Sequence, residues 1–112
     1  MPNRRIYIYP ARRLLELFDG AQRIRCYSIA VGKPSTPTPP GYYTLATKTM
    51  YPGGVFGSRW LGLSIPHYGI HGTNNSSSIG QAVSKGCIRM HNQDIEDLYE
   101  LVEIGTPIII QH

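Results

Sequence analysis

Two side chains in this sequence have the types that covalent catalysis needs. His71 and Cys87 stand sixteen positions apart in the stretch from Gly69 to Asn92. A cysteine attacks as the thiolate, and at an ordinary pKa of about 8.5 only a few per cent is ionised at neutral pH. It therefore needs a base or a positive charge beside it. Cys87 lies in Ser84-Lys85-Gly86-Cys87-Ile88-Arg89-Met90, so Lys85, Arg89 and the start of a following helix are expected to favour ionisation. Gly86 leaves room for a substrate carbonyl, and backbone N–H groups at Gly86 and Cys87 are candidates to hold a developing oxyanion. The plain alternative is that Cys87 is a small packing residue.

Three histidines compete as the base. His71 sits between Ile70 and Gly72, in a turn that neither strand nor helix packing explains. His91 follows Cys87 by four residues and would reach the thiol only if a helix began at the cysteine. His67 and His71 form His-x-x-x-His, a zinc pair when helical, but Pro66 and Gly69 oppose a helix and no third ligand stands at a recognisable spacing. The spacing thus favours His71 with Cys87 and no metal.

Several elements must position that pair. Arg4 to Tyr9 alternates Ile with Tyr and predicts a strand ended by Pro10. Ala11 to Phe18 has helical spacing of leucines, yet Asp19-Gly20 is a hairpin signal, so a strand is expected there, followed by another over Ala21 to Val31. In that second strand alternation places Cys26 with Ile24, Ser28 and Ala30 as a buried residue. The run from Gly32 to Gly41, rich in Pro and Thr, reads as a stiff surface loop; Tyr42 to Lys48 and Trp60 to Ile65 read as strands, with a turn at Tyr51-Pro52-Gly53-Gly54 between them. Asn92 to Val102 carries Ile95, Leu98, Tyr99, Leu101 and Val102 on one face, an amphipathic helix with Asn92 as N-cap and Asp94 and Glu96 in the first turn. Gly105 stops it, and Thr106 to Ile110 closes as a buried strand. The expected fold class is mainly β with one or two helices, in a mixed, β-sandwich-like arrangement.

The chain has 112 residues and a mass of 12.5 kDa, enough for one domain over 1–112 that buries roughly two-thirds of its unfolded surface. Eight Tyr against two Phe and one Trp, with twelve Gly and nine Pro, suit strands and turns better than a helical bundle. The net charge is +4, with Arg4, Arg5, Arg12, Arg13, Arg23, Arg25 and Lys33 crowding the first third. Such a balance suits an anionic envelope polymer, and no aromatic-basic recognition motif points to nucleic acid. Neither a bilayer-spanning run nor a secretory signal core is present in the sequence given, so the expectation is a cytoplasmic or spore-type protein, or a chain shown without its targeting segment.

These motifs carry a family resemblance. Gly69-Ile70-His71-Gly72-Thr73, then Ser84-Lys85-Gly86-Cys87-Ile88-Arg89-Met90 and Asp94, together with Val31-Gly32-Lys33 and the Thr36-Pro-Thr-Pro-Pro-Gly-Tyr-Tyr run, resemble the L,D-transpeptidase catalytic domain, also called the YkuD domain. The likeness spans nearly the whole chain. It implies a mixed β fold, no cofactor, and cleavage of the peptide bond before the terminal D-Ala of a peptidoglycan stem tetrapeptide. Cys87 then takes the role of nucleophile, His71 that of base, the Gly72 backbone carbonyl orients the imidazole, and backbone at Gly86 serves the oxyanion. Tyr68, Ser84, Lys85 and Arg89 are the expected substrate-binding residues. Many members have histidine where this chain has Lys85. The acyl group passes to an acceptor amine, or to water in an L,D-carboxypeptidase. Another cell-wall cysteine peptidase and an inactive wall-binding module are the remaining readings. The resemblance further implies a monomer without membrane insertion, placed at the cell wall, in the periplasm or on the spore, and sensitivity to carbapenem-type inhibitors.

Overall fold

The structure is a computed structural model and describes residues 3–112. Among the described residues, nine strands and one α-helix follow in the order β1 (Arg4–Tyr9), β2 (Leu14–Asp19), β3 (Gln22–Gly32), β4 (Gly41–Met50), β5 (Arg59–Leu63), β6 (Gly69–His71), β7 (Ala82–Ser84), β8 (Ile88–Met90), α1 (Asn92–Leu101) and β9 (Pro107–Ile110). The ambiguous leucine run resolves into a short 3-10 turn, Pro10–Arg12, and then strand β2. Arg13 closes that turn with φ 51°, which gives the chain the sharp reversal into β2.

The sheet runs β2-β1-β9-β4-β5-β6-β8-β3-β7, and β2 also pairs with β3. That extra pairing joins the layers of the expected mixed sheet into a barrel-like ring, with β7 outside it on β3. Closure removes most open edges. Inside lie Ile6, Ile8, Leu15, Leu17, Ile29, Leu61, Ile70, Ile88 and Ile108, all fully buried. Helix α1 packs Ile95 and Leu98 into the same core. Tyr27 Oη donates to Asp97 Oδ2 at 2.5 Å and Arg25 Nε donates to the same oxygen at 2.9 Å, pinning the helix to β3. At its other end Lys48 Nζ donates to the carbonyls of Tyr99 and Val102 at 2.7 and 2.8 Å, a cation where the helix dipole is negative.

Three expectations change. Cys26 is exposed, because Leu17 pairs with Arg25 while Phe18 pairs with Arg23, leaving Ile24 as an extra residue in β3. One extra residue flips the two-residue period, so Tyr27, Ile29 and Val31 face the core while Ser28 stays outside. The helix begins one residue earlier than expected: His91 is the N-cap, without a side-chain cap bond, and Asn92 is already helical. Glu96 therefore falls beyond the first turn, which holds Asp94, and accepts a hydrogen bond from Ser58 Oγ at 2.7 Å.

Alternation along the middle of the sheet sets up the site. Leu61, Ile70 and Ile88 are register partners across β5, β6 and β8, and all three point inward. Their neighbours must face the other way. Trp60 and Gly62 on β5 pair with His71 and Gly69 on β6, and Arg89 on β8 pairs with His71. Cys87 stands two residues before Arg89, on the same face and one pleat from His71.

Candidate active site

His71 and Cys87 line one cavity of about 500 Å³, together with Lys33, Val55, Phe56, Val83, Ser84, Lys85 and Arg89. Cys87 does not rest on the imidazole. Its thiol donates to the His67 carbonyl at 3.6 Å, and no hydrogen bond joins it to the His71 ring. His67 has φ 73°, the left-handed position of the turn after Pro66, which aims that carbonyl at the sulfur. Substrate-free sites often hold such pairs apart until the complex forms.

The turn that presents the thiol is tied on every side. Ser84 Oγ donates to the Cys87 carbonyl at 2.6 Å and accepts from the Gly86 N–H at 3.0 Å. Gly86 has φ 122°, and a Cβ there would stand 2.5 Å from the Tyr68 ring, so only glycine fits. The Pro/Thr loop supplies the remaining ties. Thr36 Oγ1 and the Lys33 N–H both donate to the Ser84 carbonyl, at 2.8 and 3.0 Å, while Thr38 Oγ1 donates to the Gly86 carbonyl at 2.9 Å and accepts from the Gly32 N–H at 3.0 Å. Thr38 is buried. Thr38→Val keeps the shape and strands two buried backbone groups, and it is expected to lower unfolding free energy by about 1–3 kcal/mol, read from denaturant unfolding at constant m-value.

His71 is 3% exposed. Its Nδ1 lies 2.6 Å from the Gly72 carbonyl oxygen. A carbonyl oxygen only accepts, so Nδ1 carries the proton and Nε2 keeps its lone pair. The Gly72-Thr73 segment is fixed in turn by Asn92: its Oδ1 accepts from the N–H groups of Thr73 and Ser58 at 3.2 and 3.1 Å, and its Nδ2 donates to the Thr73 carbonyl at 3.0 Å. A Cβ on Gly72 would meet Asn92 Oδ1 at 2.0 Å. The residue expected to cap the helix thus clamps the loop that orients the imidazole.

A family model described as the L,D-transpeptidase catalytic domain, YkuD, matches residues 3–110. The chain belongs to this family. It is 52% identical over 98 residues to a Bacillus licheniformis protein named as the L,D-transpeptidase YkuD, covering 88% of this chain and 59% of that protein. In structure it resembles an L,D-transpeptidase from Mycobacterium smegmatis, with TM-score 0.87 at 20% identity over 98% of this chain and 59% of the other. It resembles L,D-transpeptidase 3 from Mycobacterium tuberculosis, solved in complex with a faropenem-derived adduct, with TM-score 0.85 at 19% identity over 98% and 60%. At those identities the structural likeness speaks for the fold. The chain spans about three-fifths of the length of these relatives.

Within this L,D-transpeptidase domain, the residues singled out in the sequence fall into two groups. His71, Lys85, Cys87 and Arg89 line the cavity, and Gly72 and Gly86 stand next in the chain to His71 and Cys87 without lining it. Ser84 also borders it, with its hydroxyl engaged by the Cys87 carbonyl and the Gly86 N–H. Tyr68 packs on Gly86 and is not among the cavity's lining residues. The Gly86 N–H donates to Ser84 Oγ at 3.0 Å. His91 is exposed at the head of α1, outside the cavity lining. Lys33, Phe56 and Trp60 were missed, because they reach the site through loop closure and strand register.

The electrostatics differ from the expected cation-assisted thiolate. Burial raises the Cys87 pKa above its ordinary value, against the smaller pull of the Gly69 N–H and of Arg89 toward the thiolate. Lys85 is exposed and is not among the causes. Burial also lowers the His71 pKa; the Gly72 carbonyl opposes this by favouring the imidazolium, and Arg89 adds to it. Both shifts favour the uncharged forms, so the resting pair is a thiol and a neutral imidazole with Nε2 open to a proton.

Proposed function

We propose that this chain is a cysteine acyltransferase that acts on peptidoglycan stem tetrapeptides. The observation that carries the reading is the 2.6 Å contact between His71 Nδ1 and the Gly72 carbonyl, which leaves a basic Nε2 in the cavity that Cys87 lines. The donor's carbonyl carbon enters beside Cys87. His71 Nε2 takes the thiol proton as sulfur bonds to that carbon, and the oxyanion is met by the Cys87 N–H. The C–N bond to D-Ala then breaks, the imidazolium returns its proton to the leaving amine, and a thioester remains. An acceptor amine attacks the thioester and loses a proton to His71; the C–S bond breaks, the imidazolium returns that proton to the sulfur, and the new amide leaves. If water replaces the amine, the same steps give an L,D-carboxypeptidase.

Arg89 is the proposed anchor for a substrate carboxylate, with the exposed amines of Lys33 and Lys85 at the rim of the same cavity. No acidic side chain lines that cavity, which suits an anionic stem peptide. The proposed place of work is the cell wall, and the proposed inhibitors are carbapenems and related β-lactams, whose ring amide offers Cys87 a carbonyl of the same kind. No helix among the described residues is long and apolar enough to cross a membrane.

The resting charge states set the pH response. Protonated His71 cannot accept the thiol proton, and its pKa is lowered; acylation is therefore expected to persist below the ordinary imidazole pKa of about 6.5 and to fall only at the more acidic pH where His71 itself becomes protonated. On the alkaline side the raised thiol pKa keeps the neutral pair intact past the ordinary cysteine value. A rate profile that fails already near or above pH 7 on the acid side would contradict these assignments.

Incubation with defined stem tetrapeptides and pentapeptides tests the reaction. Release of D-Ala from the tetrapeptide alone, with a cross-linked dimer when an acceptor is present, supports the transpeptidase. Release without dimer identifies the carboxypeptidase. Cleavage elsewhere points to another wall peptidase, and a folded protein that forms no adduct and releases nothing is a wall-binding module.

A further inference from the structure

We propose that Trp60 is a positioning residue for the His71 imidazole, and that Gly62 and Gly69 are glycines so that its indole can lie flat across them. This rests on reading His71 as the general base. The Gly72 carbonyl holds the imidazole at one vertex, Nδ1. A ring held at one vertex can still rock about that bond, whereas proton transfer needs Nε2 placed within about 0.5 Å and 10–20°. Something must fix its plane.

Trp60 and His71 are direct cross-strand partners on β5 and β6. Their rings are stacked, with centroids 5.6 Å apart and planes 12° from parallel. Phe56 stands edge-on to both, 5.1 Å from His71 at 89° and 5.2 Å from Trp60 at 77°. The imidazole therefore has a flat support on one face and a second aromatic wall, with its Nδ1 tied to the backbone.

The glycines give an independent argument. Gly62 and Gly69 are paired across the same two strands, and neither has the positive φ that would by itself call for glycine. Glycine within a strand weakens it by roughly 0.5–1 kcal/mol against alanine, so the position needs another reason. A Cβ on Gly69 would stand 2.5 and 2.6 Å from Cζ2 and Cη2 of Trp60, and one on Gly62 would stand 2.9 Å from Nε1. Gly62 is further crowded by Thr47 Oγ1 at 2.2 Å. Two strands give up side chains over the footprint of one indole, whose far edge lies on Gly69 and whose plane runs within 12° of the His71 ring. Its π face also suits the imidazolium formed in mid-reaction.

The test is the rate of Cys87 acylation by imipenem under single-turnover conditions, followed from pH 5 to 9, in wild type, Trp60→Leu, Trp60→Phe and Gly69→Ala. The charged and titratable groups facing His71 are Cys87 and Arg89 from the β8 side and Lys33 and Lys85 around the cavity; Trp60 and Phe56 do not ionise. Trp60→Leu is expected to lower the maximal acylation rate by roughly ten- to a hundredfold, with the half-saturating imipenem concentration changed by no more than about twofold. Its acid limb is expected to move to higher pH as water reaches the ring. Trp60→Phe should recover most of the rate, and Gly69→Ala should lose it although Trp60 is intact. Wild-type maximal rates in folded Trp60→Leu or Gly69→Ala overturn the proposal. So does a loss confined to the half-saturating concentration, which would make Trp60 a ligand contact. Should Trp60→Leu fail to fold, Gly69→Ala and Trp60→Phe decide. Absence of acylation in wild type instead sinks the proposed function itself.

Discussion

Cys87→Ala is expected to reduce D-Ala release to background, a loss on the scale of roughly 10⁶ for removal of a nucleophile. No other group in the cavity is set up to replace it: the hydroxyl of Ser84, the nearest in the chain, is engaged by the Cys87 carbonyl and the Gly86 N–H. The variant should remain folded. The short ties that hold the turn run to backbone atoms of Ser84, Gly86 and Cys87, and the sulfur adds only the long 3.6 Å bond to the His67 carbonyl. Cys87→Ser is the stricter control, since its hydroxyl keeps the shape and hydrogen bonding but ionises far less readily than a thiol. Activity surviving in either variant, measured as D-Ala release by a folded protein, would remove Cys87 from the mechanism.

The second large effect belongs to the base. His71→Ala is expected to slow acylation by about 10²–10⁴-fold, the usual contribution of a positioned general base, and to erase the acid limb of the pH profile, because no other imidazole lines the cavity. His91→Ala is expected to leave the rate unchanged, since His91 is exposed at the head of α1. The paired comparison matters because His91 lies closer to Cys87 in sequence. Equal losses in the two variants, measured on imipenem acylation with both folded, would show that His71 is not the sole base.

How much of this was legible beforehand depended on distance along the chain. The His71 and Cys87 segments announce themselves because their neighbours are local: glycine at 72 and 86, serine at 84, a carbonyl one residue away. Strands such as β1 were readable because Ile6 and Ile8 alternate regularly and both end up fully buried. The errors have equally physical causes. Regular alternation places Cys26 inside, and the one extra residue in β3 reverses that alternation and turns it out. Asn92 stands where asparagine commonly caps a helix, but its amide oxygen accepts from Thr73 and Ser58 instead.

Other features had no local signal at all. Trp60 meets His71 only because β5 and β6 pair in one register, and the glycines under the indole make sense only once that register is known. Thr36 and Thr38 sit in a proline-rich run that reads as a surface loop, yet they hold the carbonyls of Ser84 and Gly86 some forty-eight residues away. The thiol's raised pKa was likewise hidden, since sequence shows the cations nearby and conceals the burial that outweighs them.

The most direct test of the central claim is intact-protein mass spectrometry of the folded chain mixed with a defined stem tetrapeptide in the absence of acceptor, quenched in acid, followed by peptide mapping. The predicted result is a mass increase equal to the donor less D-Ala, carried on Cys87 and lost on treatment with hydroxylamine as a thioester should be. Release of D-Ala with no adduct on Cys87 under these conditions, together with undiminished release by Cys87→Ala, would contradict it.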